Sequence, residues 1–105
     1  MQTPNIYKDI PEHLKEELFE DIITSKNVKI ERIISDGHSS PKEGWHESLQ
    51  NEWVIVLQGE AKLLFDDGEE VVLKRGDYQN IPAFVKHKVS YTSLSEKTIW
   101  LAIYY

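Results

Sequence analysis

The sequence predicts an antiparallel β sandwich or barrel of short strands preceded by one short helix, and three observations predict it. From residue 19 onward the apolar residues recur with a period of two, the spacing of one face of a strand. The runs that carry this period are short and close together, as in "EWVIVLQG", "EAKLLFDD" and "EEVVLK". Between the runs stand "SKN", "SDG", "DDG" and "KRGD", whose Gly, Asp, Asn and Ser residues favour turns.

The elements follow in order. In "PEHLKEELFE", Pro11 sits where a first helical turn tolerates it, acidic residues lie near the start, and Leu14, Leu18 and Phe19 share one side. A short helix over residues 11–18 is expected there, closing an N-terminal segment of residues 1–18. The barrel then occupies residues 19–105. Its strands begin with "FEDIITS" and "NVKIERIIS", continue through the three runs above, and end with "HKVSYTS" and "KTIWLAIYY". Asp67 and Gly68 suit a tight hairpin, because Gly takes the positive φ that such turns require. In "WVIVL", Val54 and Val56 point one way and Trp53, Ile55 and Leu57 the other. Neither face of that strand suits water, so its outer face needs a cover, from the N-terminal segment or from a second subunit.

Composition narrows the function. A chain of 105 residues is expected to form one domain with one core. Its net charge of -6, with Lys and Arg scattered singly, argues against nucleic acid as a partner. There is no cysteine, so thiol catalysis, disulfides and Cys-ligated metals are excluded, and any metal must be held by His, carboxylate or neutral oxygen. No membrane span or secretion signal is read, and the expected location is the cytoplasm.

The candidate site residues gather around "GWHESLQNEWVIVLQG" and a later histidine. Positions 46, 48 and 50 share a parity, so an extended segment sends His46, Ser48 and Gln50 to one face. Glu52 opens the next strand on the face of Val54 and Val56. A turn between the two would set His46 and Glu52 opposite one another, about 5 Å apart. His87 begins a strand after "GDYQNIPAFVK", where Gly76 permits a tight turn and Pro82 stiffens the chain. Glu52 opens an otherwise apolar strand, and a buried carboxylate needs a partner such as a metal or an imidazolium. Trp45 and Phe84, which flank these residues in the chain, are the expected pocket-lining aromatics. His13 and His38 read as ordinary helix-surface and loop residues, and "DDGEE" as a solvated hairpin tip.

These residues resemble the cupins, whose first motif is G-x5-H-x-H-x3-4-E-x6-G and whose second is G-x5-P-x-G-x2-H-x3-N. Glu52 and Gly59 keep the spacing of the first motif, with His46 on its first histidine, and Gly76, Pro82 and His87 match the second. The departures are Ser48 at the second histidine, Gly44 as the early glycine, Phe84 at the second glycine of the second motif and Tyr91 at its asparagine. The resemblance implies a double-stranded β-helix, or jelly roll, whose usual three-His, one-Glu metal set is reduced here to His46, Glu52 and His87. Ser48 or Gln50 could add a neutral oxygen. Two imidazoles and a carboxylate suit one divalent ion, Fe, Mn, Zn or Ni, with coordination positions left open. The resemblance also implies a small polar ligand beside the metal, with dioxygenase, isomerase or epimerase chemistry if the protein is an enzyme. It further implies a homodimer, formed through Trp53, Ile55 and Leu57 or through "IWLAIYY". The rival reading is a metal-free cupin that binds or senses a small molecule without turnover. A partner-binding subunit is the third.

Overall fold

A computed structural model describes residues 1–105 and contains eight strands and no helix. They are β1 (Leu18–Thr24), β2 (Lys29–Ser35), β3 (Glu52–Gln58), β4 (Glu60–Phe65), β5 (Glu70–Lys74), β6 (Tyr78–Ile81), β7 (His87–Thr92) and β8 (Thr98–Tyr104). Two antiparallel sheets face one another, one of five strands in the order β1-β2-β8-β3-β6 and one of three in the order β5-β4-β7. This is the double-stranded β-helix that the alternating pattern and the resemblance predict.

The alternation places the core. Along β3 the buried residues are Glu52, Val54 and Val56, while Trp53 and Ile55 between them are half-buried. Val54 and Val56 meet Trp100 and Ala102 of β8 and Leu63 and Phe65 of β4 in one apolar cluster between the sheets. Burying side chains of this size stabilises by roughly 1.5–3 kcal/mol each.

The helix expected over residues 11–18 does not form. Leu18 and Phe19 belong instead to β1, where they pair with Ile34 and Ile33 and so face opposite sides of the sheet. Within that stretch the Lys15 carbonyl is taken by His38 Nε2 and the Glu17 carboxyl by the Ser35 hydroxyl, and the residues ahead of it are tied to the sheet by their carbonyls. Arg32, buried on the outer face of β2, donates from Nη1 to the carbonyls of Ile6 (3.0 Å) and Lys8 (2.6 Å), and from Nη2 to that of Asp9 (3.3 Å). Its Nε donates to Glu20 of β1 at 2.8 Å. A helix of eight residues is too short to persist on its own propensity, so tertiary bonds decide the conformation. The strap covers part of the outer face: Ile34 and Ile99, on that face beside Arg32, are fully buried. No helix is long and apolar enough to cross a membrane.

One strand, β6, was hidden in what reads as a loop. The four residues "YQNI" between Gly76 and Pro82 carry little apolar pattern and become a strand by pairing with β3, Glu52 opposite Ile81 and Ile55 opposite Tyr78.

The first passage between the sheets is a single residue. β3 lies in the five-stranded sheet and β4 in the three-stranded one, with only Gly59 between them. Gly59 has φ +88, and a Cβ there would lie 2.4 Å from Thr98 Oγ1 and 2.7 Å from Thr98 Cα. Only glycine satisfies both the conformation and the space. Gly59→Ala is therefore expected to destabilise the fold by about 3 kcal/mol, combining left-handed strain with overpacking against backbone. Urea denaturation would show this as a lowered midpoint, and an unchanged midpoint would refute it.

Candidate metal centre

Three side chains predicted to share a site do so. The ligand atoms of His46, Glu52 and His87 lie within 4.8 Å of one another, close enough for one ion to reach all three. Glu52 and His87 are the first residues of β3 and β7, so each sheet supplies one buried group. His46 arrives by a different route from the one expected. It does not pair with Glu52 across a turn. Its backbone forms an isolated antiparallel bridge with His87, with N–H···O bonds of 2.8 Å and 2.9 Å in the two directions. The residues between are spent elsewhere, since the Ser48 carbonyl accepts from Phe84 N–H and Asn51 exchanges both backbone bonds with Tyr105.

The geometry of Glu52 carries the metal argument. Its Oε1 is buried without any hydrogen-bond partner. His87 Nε2 faces it at 3.5 Å and His46 Nε2 at 3.7 Å, ion-pair distances too long for hydrogen bonds. A buried carboxyl oxygen left this way costs about 1–3 kcal/mol or more. A cation between the three groups removes that cost. His87 is prepared for it: its Nδ1 lies 3.0 Å from the Val85 carbonyl, so a proton on Nδ1 leaves the Nε2 lone pair facing Glu52. The donor set, two imidazoles and one carboxylate, is a His/Glu cluster able to coordinate a divalent metal. His46 is the least fixed ligand, with its side chain 57% exposed against 9% for Glu52.

Burial disfavours the charged form of His87, but the facing Glu52 carboxyl and the Val85 carbonyl outweigh it and raise its pKa above the ordinary 6.5. Without metal, the imidazolium form pairs with Glu52. That pairing contributes stability in full below the unfolded pKa and loses it as pH rises through the raised folded value.

The metal centre opens into a cavity of about 190 Å³ between the sheets, with Val54, Leu63 and Trp100 among its apolar walls. Its polar wall includes two residues that the sequence did not single out. Tyr104 donates from its hydroxyl to Glu31 Oε1 at 3.1 Å. Burial, then the carboxylates of Glu52, Glu31 and Glu17, push its pKa far upward, so it stays a phenol and acts as a donor. Glu17 accepts a short hydrogen bond from the Ser35 hydroxyl, which in turn accepts from Trp100 Nε1 at 3.1 Å. Burial raises the Glu17 pKa, against the opposing effects of Ser35 and His38. Strand parity could have found Tyr104, which shares a face with Trp100 and Ala102 along β8. Reading "EELF" as a helix concealed Glu17.

Other expected site residues lie elsewhere. Ser48 Oγ accepts from Gln50 N–H at 3.1 Å, and Gln50 Nε2 donates to the Asn27 carbonyl at 2.8 Å, and neither side chain lines the cavity beside the metal cluster. Both line a shallower depression outside the cavity. Trp45 and Phe84 do not line the cavity either. Trp45 is 42% exposed beneath the Lys88 ammonium, 4.5 Å from its ring centre, and Phe84, at φ 68, is 62% exposed. Trp45 directly precedes His46 and so takes the other face of the extended chain, while Phe84, three residues ahead of His87, sits exposed in a left-handed turn. His38 serves as a clasp: its Nδ1 accepts from Asp36 N–H at 2.9 Å, leaving Nε2 to donate to the Lys15 carbonyl at 3.1 Å.

Comparison with known proteins places this geometry. Residues 31–104 match the cupin domain family. A crystal structure from Ralstonia eutropha, provisionally named a mannose-6-phosphate isomerase, is similar at 36% identity and a TM-score of 0.94, over 99% of this chain and 97% of that one. A cupin superfamily protein from Desulfitobacterium hafniense is similar at 24% identity and a TM-score of 0.74, over 90% and 82% of the two chains. An RmlC-like cupin with a double-stranded β-helix from Methanocaldococcus jannaschii gives 20% identity and a TM-score of 0.71, over 91% and 85%. The last two show the fold alone. No curated protein matches the chain.

Metal and proton compete for His87 Nε2. Metal affinity should be full above the raised pKa of His87 and fall as pH drops through it, approaching about tenfold per pH unit. Calorimetric titration with Mn(II) or Zn(II) between about pH 5 and 8 would follow this decline, and a flat affinity would contradict the assignment.

Proposed function

The chain belongs to the cupin family, and on that premise we propose that it holds one divalent metal through His46, Glu52 and His87 and binds a small oxygenated molecule in the adjoining cavity for isomerisation. The single observation that carries the reading is Glu52 Oε1, buried between two imidazoles without a hydrogen-bond donor. When bound, the metal supplies a Lewis acid that polarises a ligand hydroxyl or carbonyl. The protein's own groups do the rest. The Val85 carbonyl fixes the His87 ring, Tyr104 offers a phenol that does not ionise, and the apolar walls exclude water around the ligand. The half-exposed His46 stands at the opening through which ligand and metal exchange.

Among the reactions the family supports, isomerisation is favoured by the provisional name of the Ralstonia protein, at 36% identity over nearly the whole of both chains. Isomerisation through an enediol, in which the hydrogen leaves one carbon as a proton, would leave a solvent-derived deuteron on the neighbouring carbon in D2O, whereas a hydride shift would leave none. Incorporation into a neutral aldose, dependent on added metal, is the expected result. His87→Ala should abolish stoichiometric metal and His46→Ala should weaken it by roughly tenfold. No stoichiometric binding of Fe(II), Mn(II), Zn(II) or Ni(II) by the wild type would favour ligand sensing without turnover.

We also infer that two copies pair through the outer face of the five-stranded sheet. Trp53, Ile55, Leu101 and Ile103 lie there half-buried, beyond the part that the N-terminal strap covers. A charged substitution at Ile55 should shift the mass measured by light scattering from dimer to monomer, and a wild-type monomer would refute the pairing.

A further inference from the structure

The cavity has two polar ends, and only one is the metal centre. Glu52 lies opposite Tyr104 on β8, whereas Ser35, which bonds Glu17, lies opposite Thr98, six positions away on the same strand. Both Glu17 and Glu52 line the one cavity. A molecule held at the metal by one end therefore extends toward Glu17.

The Glu17 end is built. Trp100 Nε1–H donates to Ser35, and the Ser35 hydroxyl donates to Glu17 Oε2. Ser35 is fully buried and Trp100 nearly so, which fixes the carboxyl from behind. This arrangement uses one carboxyl oxygen and leaves Oε1 for a ligand. Nothing comparable serves an anion. Lys88 is the one ammonium in the lining; it follows His87 at the metal end, and its Nζ turns to the Lys42 carbonyl at 2.7 Å and to the Trp45 ring. Of the two arginines, Arg32 is consumed by Glu20 and the N-terminal carbonyls, and Arg75 does not line the cavity. Recognition of a phosphate calls for Arg or Lys forks or clustered backbone N–H groups. A phosphate group reaching this end would meet a carboxyl instead.

We propose that Glu17 receives the end of the ligand remote from the metal, and that the ligand is an uncharged hydroxy-carbonyl compound rather than a phosphate ester. The proposal rests on the metal-site reading above and separates this chain from the phosphorylated substrate in the name of its Ralstonia relative. An aldose terminus offers a hydroxyl that can donate to the free Glu17 oxygen, whereas a phosphate brings only acceptors to it.

The test uses the full chain loaded with Mn(II), whose electron spin speeds the relaxation of nearby ligand protons. Xylose and mannose are compared with xylose 5-phosphate and mannose 6-phosphate by proton NMR. The free sugars should be relaxed in preference to the esters, and their binding should be insensitive to added salt. Glu17→Gln, which keeps the shape and removes the ionisable group, should narrow the preference for sugar over ester by roughly tenfold. Should that variant fail to fold, the wild-type preference and its salt independence decide the matter. Esters binding as well as the sugars, or better, would overturn the proposal, as would a Mn(II)-loaded protein that relaxes none of the four. Failure to bind Mn(II), read separately by electron paramagnetic resonance, would remove the metal-site reading and this proposal with it.

Discussion

Two sheets can enclose a common cavity only if the chain crosses from one to the other, and its first and tightest crossing is at Gly59. That residue lies against Thr98 of the neighbouring strand so closely that no side chain fits. Its position fixes where β3 ends and β4 begins. Glu52 comes from one sheet and His87 from the other, so their meeting depends on the sheets facing each other at this depth and angle. A crossing one residue longer would turn the inward faces of β4 and its partners outward.

Within that frame the centre is an electrostatic debt held by Glu52. A carboxyl group in an apolar cavity is tolerated when something cationic accompanies it, and the two imidazoles provide for this in two ways. Below the raised pKa of His87 the accompanying charge is a proton on the ring, and above it the charge must come from outside. The same three side chains therefore fit a folded apo protein in mild acid and a metalloprotein at higher pH.

Much of this was legible in the sequence, and the parts that were not share a cause. Alternation disclosed seven of the eight strands, because each buries one face and the period of two survives without knowledge of the partner. Glu52 and His87 were legible from spacing relative to Gly59, Gly76 and Pro82, the residues that set the turns. His46 was found, but its partner was not, since an isolated bridge depends on where a loop is pulled from outside. β6 depends wholly on pairing with β3 and shows no pattern of its own. The helical pattern of residues 11–18 loses to long-range bonds, the Lys15 carbonyl going to His38 and the Glu17 carboxyl to Ser35. Trp45 and Phe84 were placed by adjacency in the chain, which on a strand or tight turn is a poor guide to direction. Glu17 was hidden by the helix that did not form.

The strap ahead of β2 divides the cavity in a way that reaches beyond this chain. The part that matches the family begins at residue 31, and it contains His46, Glu52 and His87. Glu17 and Phe19, which also line the cavity, lie before that point, on a segment moored to the barrel by Arg32 and His38. The barrel within residues 31–104 thus carries the metal end, while the opposite end draws on β1 and the residue just ahead of it. Replacing that segment could retune ligand choice without disturbing the metal centre, as a lock is rekeyed by changing its pins and keeping its bolt.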